Sequence, residues 1–144
     1  MSLNPATEVT YRYRLALEHL KRAEKLSSLR DWVGTVAACQ LSVESFAKAV
    51  IAAFEVPTWS HDPSNQLHGL LRRLPADSRD DVEKLADLAR EMAPEHGRST
   101  CGEPTAGILP SDIYGRDHAS DSLHRARKAR KTTQRVIRQL SIRV

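Results

Sequence analysis

DWVGTVAACQLSVESFAKAVIAAF, residues 31–54, is the stretch whose reading decides the fold. Its apolar residues, among them Val33, Val36, Leu41, Val43, Phe46, Val50, Ile51 and Phe54, cover most of the circumference of a helix rather than one stripe. A helix that is apolar nearly all round is a central one, packed on several sides. Asp31 is placed to cap its N-terminus. Val56-Pro57 ends it, because the residue before a proline avoids helical backbone. Ala37, Ala38, Ser42, Ala47 and Ala49 are small enough for another helix to come close. A short chain cannot easily cover every side of such a rod, so the sequence predicts self-association.

On the N-terminal side, Asn4-Pro5 supplies a cap followed by proline at the first helical position. Val9, Tyr13, Ala16, Leu20 and Ala23 then recur at three- and four-residue steps, which predicts a helix from about residue 5 to 29. On the C-terminal side, Asp62-Pro63 opens a short leucine-rich helix, with Leu67, Leu70, Leu71 and Leu74. Asp77 or Ser78 caps a further segment along Val82, Leu85, Leu88 and Met92, closed by Pro94. Gly102, Pro104, Gly107 and Pro110 interrupt residues 95–115, which read as a loop of unusual length, functional or mobile. Asp117 caps the last helix, whose seam is Ala119, Leu123, Ala126, Thr133, Val136, Ile137 and Leu140. The expected fold is all-α: one domain over residues 1–144, an up-and-down antiparallel bundle of four to five helices. Its core spans about 5–141, and a long Gly/Pro loop at about 95–116 precedes the last helix.

Composition agrees. The chain is 40% hydrophobic and 28% charged, enough for a real core, while 5% aromatic content and the lack of alternating runs disfavour a β-sandwich or barrel. Glu44, Lys48 and Glu55 interrupt the longest apolar stretch, so no membrane span is expected. The opening residues lack the charged and apolar regions of a secretory signal. Cys39 and Cys101 are far apart and read as reduced thiols, which together with the missing signal predicts a cytoplasmic protein. Charge is uneven. Residues 116–144 carry +7 and the rest −3, within a net +4. That basic end suits a polyanionic partner, although its charges surround the helix and no aromatic residues alternate with them to stack bases. A solvated face is the simpler reading.

Ordinary enzyme motifs are absent, and the chain is expected to need no cofactor. There is no Gly-rich phosphate loop, nucleophile elbow or paired-cysteine motif. His61 and His68 are seven apart, and His118 and His124 six apart, neither spacing suited to a shared metal, so no metal site is expected. Glu44 and Lys48, four apart, form an ordinary helical ion pair or a polar seam within a cleft, with Gln40 on the same stripe.

The order of these features resembles the HEPN domain family. The resemblance spans roughly residues 11–140. It rests on the opening helix from Tyr13 to Ala23, and on Asp31-Trp32 followed by a small-residue helix ending Glu44-Ser45-Phe46-Ala47-Lys48-Ala49. His61-Asp62 precedes a leucine-rich turn. Arg98 lies in the Gly/Pro segment, and Asp117-His118-Ala119 opens a final helix with alanines at Ala126 and Ala129. The resemblance implies an up-and-down bundle, usually a homodimer, associated with nucleotide or RNA. It also implies a nucleotidyltransferase partner, often in a toxin–antitoxin pair.

Some members of that family are metal-independent RNases using an Arg, four to six residues, then His. Arg90 and His96 fit with five residues between them, and Arg14 and His19 with four. Pro94 interrupts the first pair, the second lies within a helix, and neither has the Arg-Asn start of the nuclease branch. The expectation is therefore a dimeric module that binds nucleotide, RNA or a nucleotidyltransferase without strong catalysis. Its ligand-binding candidates are Glu44, Lys48, His61, Arg98 and Arg116. Alternatives are an RNase toxin using Arg90 and His96, or a non-catalytic dimerisation bundle.

Overall fold

A computed structural model of the chain describes residues 4–144. The elements are α1 (Pro5–Ser28), α2 (Trp32–Ala52), α3 (Ser64–Gly69), α4 (Ala76–Met92), α5 (Glu95–Cys101), α6 (Pro110–Ile113) and α7 (Arg116–Gln139), with 3-10 turns at Leu71–Arg73 and Pro104–Ala106. Among the described residues the sole β feature is an isolated bridge between Glu103 and Ile108. The fold is an all-α bundle.

The long helices begin where their chemistry directs. Asn4 accepts a hydrogen bond from the Ala6 N–H at 3.0 Å, and Asp31 one from the Gly34 N–H at 2.8 Å. Asp62 likewise accepts from the Ser64 N–H at 3.0 Å, so the turn into α3 is a side-chain-capped corner. The last helix starts at Arg116 rather than after an Asp117 cap. Gly115 is its cap residue, and its N–H meets His118 Nδ1 at 3.3 Å.

α2 is the axis of the molecule. Every other helix touches it, and sixteen of its 21 residues are buried. α1 lies closest against it, where Ser42 Oγ donates to the Ala16 carbonyl at 2.9 Å, a contact only a small residue permits. Phe46 is fully buried and meets Tyr13 edge to face, with ring centroids 5.6 Å apart. By length and composition α2 could cross a membrane, yet 89% of its apolar window is buried inside the fold, the signature of a core helix.

Two expectations change. The chain does cover α2 by itself, because the short segments between residues 64 and 113 wrap the sides that α1 and α7 leave open. An uncovered central rod is therefore no reason for a second copy. Residues 95–115 are not a loop either: α5, a 3-10 turn and α6 occupy most of them. Gly and Pro here act as punctuation between helices of one or two turns rather than as a bar to helix. Gly102 (φ 66°) makes the sharpest corner, and a Cβ there would fall on the Ile108 carbonyl oxygen.

The basic face of α7 is answered from within at three of its arginines. Arg125 pairs with Glu91 and Asp121, Arg127 with Glu24, and Arg135 with Asp81. These acidic partners lie on α1, α4 and α7 itself.

Candidate functional site

Gln40, Glu44 and Lys48 recur every four residues and therefore share one face of α2. Because α2 is the core helix, this polar stripe is buried, with Gln40 1%, Lys48 7% and Glu44 9% exposed. Two later segments close over it. The stretch between α2 and α3 brings in His61, and α5 brings in His96.

The carboxylate of Glu44 is the hub. Its Oε1 accepts from Gln40 Nε2 at 3.1 Å and from His61 Nδ1 at 2.9 Å, while Oε2 accepts from Lys48 Nζ at 3.2 Å. Gln40, having given its amide N–H to Glu44, offers its oxygen to His96 Nδ1 at 3.1 Å. A carboxylate and an amide oxygen can only accept, so both imidazoles must carry their proton on Nδ1. That leaves both Nε2 atoms without a partner in this network. The two rings stack, with centroids 3.6 Å apart and planes 19° from parallel.

Burial by itself would raise the Glu44 pKa. The hydrogen bonds from Gln40 and His61, and the charge and hydrogen bond of Lys48, outweigh it and hold the pKa below the usual value of 4.5. Glu44 thus binds a proton less readily folded than unfolded. Its contribution to stability is full above pH 4.5 and is lost as pH falls below that, through the depressed folded value. Acid denaturation followed by circular dichroism should therefore show a pH-dependent loss beginning near that point. Glu44→Gln should flatten it.

The other residues singled out from sequence divide into three groups. Arg90, on α4, reaches Ser64 Oγ and Asn65 Oδ1 at 3.4 Å each, neutral partners in the segment that continues from His61. Arg98 faces its own carboxylates, Glu95 and Glu103, both at 3.3 Å. Glu95 in turn accepts from the Tyr114 hydroxyl, so Arg98 is part of a latch joining α5 to α6. Burial, followed by the Glu95 hydrogen bond, pushes the Tyr114 pKa up. Arg116 lies elsewhere, over the Trp32 ring at 5.6 Å, in a shallow concavity shared with Ser27, Ser28 and Arg30. The structure thus unites Glu44, Lys48, His61 and His96, ties Arg90 to the segment that follows His61, and leaves Arg98 and Arg116 apart.

Pro94, an objection to the Arg90–His96 pair when read as sequence, has a constructive role. It sits in the break between α4 and α5, and the chain beyond it carries His96 onto α2. The alternative pair fares differently: His19 lies on α1, half-buried, and burial lowers its pKa. The expectation that the histidines form no metal site comes from comparing sequence neighbours. The fold instead places donor atoms of Glu44, His61 and His96 within 4.8 Å of one another.

The sequence profile of the HEPN domain matches residues 9–140. The chain belongs to the HEPN domain family. Among curated proteins, none matches it. The crystal structure of TT1696 from Thermus thermophilus is similar in fold, with a TM-score of 0.68 at 20% identity, covering 88% of this chain and 96% of that one. In this HEPN domain the polar seam falls on the helix that the whole bundle encloses.

The bridging role of Gln40 could have been inferred from its four-residue step to Glu44. The His61–His96 stack could not, because it joins residues 35 apart on separate short segments.

Proposed function

We propose that this HEPN domain binds a nucleotide or RNA phosphate at the polar cluster formed by Gln40, Glu44, Lys48, His61 and His96. One observation carries the reading: both imidazoles are oriented by their Nδ1 atoms, which leaves the Nε2 atoms of two stacked rings without a partner in the network. Arg90 reaches the segment that follows His61 through neutral groups, Ser64 and Asn65, which leave its guanidinium charge for a phosphate. Membership of the HEPN family supports a nucleotide- or RNA-related module. A second copy of the chain, or a nucleotidyltransferase in a toxin–antitoxin pair in the cytoplasm, belongs to the same proposal as partner and setting.

A salt series on the binding of single-stranded RNA tests it. Affinity should fall linearly on a log–log plot, and Arg90→Ala should weaken binding and reduce the slope by about one ion. Binding that is indifferent to salt and to Arg90 would leave the chain a protein-contact bundle.

A second reading, cleavage, is favoured by the stack itself. Metal-independent RNA transesterification needs one group to take the 2′-hydroxyl proton as that oxygen attacks phosphorus. A second group protonates the departing 5′ oxygen, and the products are a 2′,3′-cyclic phosphate and a 5′-hydroxyl. Two adjacent imidazoles with open Nε2 atoms are the right kind of group for both transfers. Incubation with total RNA, with and without EDTA, decides. Cleavage in both tubes that His96→Ala abolishes supports this reading, and intact RNA in both ends it.

A further inference from the structure

We infer that Glu44, His61 and His96 form a binding site for a single transition-metal dication of the zinc class. Such a site stands whether or not the cluster binds RNA. Three borderline-soft or anionic donors converge within 4.8 Å, two imidazoles and one carboxylate, a donor set that favours zinc, cobalt or nickel over magnesium. The 2.9 Å between His61 Nδ1 and Glu44 Oε1 is about half an ångström shorter than the edge of a tetrahedron with metal–ligand bonds of about 2.1 Å, so a small outward movement of His61 seats an ion between them. An ion can therefore replace the proton now shared along that edge.

The surroundings are built as those of metal ligands are. His96 Nδ1–H is fixed by the Gln40 amide oxygen, which sets the tautomer and leaves Nε2 as the donor. Gln40 is itself 1% exposed and bonded to Glu44, so one buried side chain aims two of the three ligands. Lys48 occupies only Oε2 of Glu44, and Oε1 remains on the histidine side. The rings, stacked at 19°, do not point their lone pairs at one spot, and His61 must swing out of the stack to complete the site. It is free to do so, since it lies between helices and its side chain is 53% exposed. The fourth position is left to water or a substrate oxygen.

The test uses the full chain without a histidine tag, stripped with chelator and titrated with Co2+ and with Zn2+. The expected result is one ion per chain, visible d–d absorption of low-symmetry cobalt, and displacement of cobalt by zinc. Glu44→Gln and His96→Ala, each checked for native circular dichroism, should lose at least tenfold in affinity, whereas His124→Ala should not. Absence of the cobalt band, or affinity unchanged in both variants, overturns the site. Arg90→Ala separates the two proposals, because it should weaken RNA binding and leave the cobalt spectrum untouched.

Discussion

Phe46→Ala should be the most destabilising single truncation at an aromatic position, lowering stability by about 3–5 kcal/mol. The ring is fully buried at the middle of α2 and touches Tyr13 of α1 edge to face. Truncation removes apolar burial, the aromatic contact and the packing of the surrounding side chains together. The void cannot readily close, because the neighbouring positions on α2 are already filled by small residues held against other helices, such as Ala47 and Ala49, both 0% exposed. Thermal unfolding should show a Tm lowered by roughly 10–15 °C for a chain of this size. Phe46→Leu, which restores most of the volume, should recover more than half of it. If Phe46→Ala unfolded within a degree or two of the unsubstituted chain, α2 would not be the core helix that the bundle encloses.

Glu44→Leu should be nearly as costly, at about 3 kcal/mol, for a different reason. The substitution leaves the Lys48 ammonium, 7% exposed, with no carboxylate, and strips both Gln40 and His61 of their acceptor. The loss comes chiefly from the stranded charge rather than from a strong ion pair. The double variant Glu44→Leu/Lys48→Met is therefore expected to regain most of the stability, since replacing both members of a buried pair by apolar groups is often neutral. It should regain neither cobalt binding nor RNA binding. Denaturant unfolding of the two single variants and the double one gives the coupling. Strict additivity would mean that the seam is solvated and its polar groups independent.

These two expectations separate what residues 31–54 do for the fold from what they do for the site. The same helix supplies both, through different faces. Its apolar residues are numerous enough to announce a central rod, and Asp31 and Pro57 mark its ends closely: the helix runs Trp32–Ala52 where the pattern predicts about 31–54. The first and last helices are equally legible, because their apolar seams recur at helical spacing over six turns.

Residues 95–115 look like loop in the sequence because helices of one or two turns are too short to show a period, and Gly and Pro at their junctions resemble uniform loop. An uncovered α2 as the reason for self-association fails on related grounds. Periodicity shows how much of α2 needs covering, but not that α3, α5 and α6 will fold back to cover it.

What the chain's sequence determined on its own is everything carried by short-range pattern. That includes the all-helical class, the central position of α2, the caps at Asn4, Asp31 and Asp62, and the polar stripe of Gln40, Glu44 and Lys48. What only the tertiary structure decided is which distant groups meet that stripe. His61 and His96 come together because the segment before α3 and the start of α5 both fold back onto α2, while Arg98 and Arg116 are drawn off to Glu95, Glu103 and Trp32. Local spacing fixes the face a side chain occupies, but its partners depend on how the helices pack, and that is set by burial summed over the whole bundle.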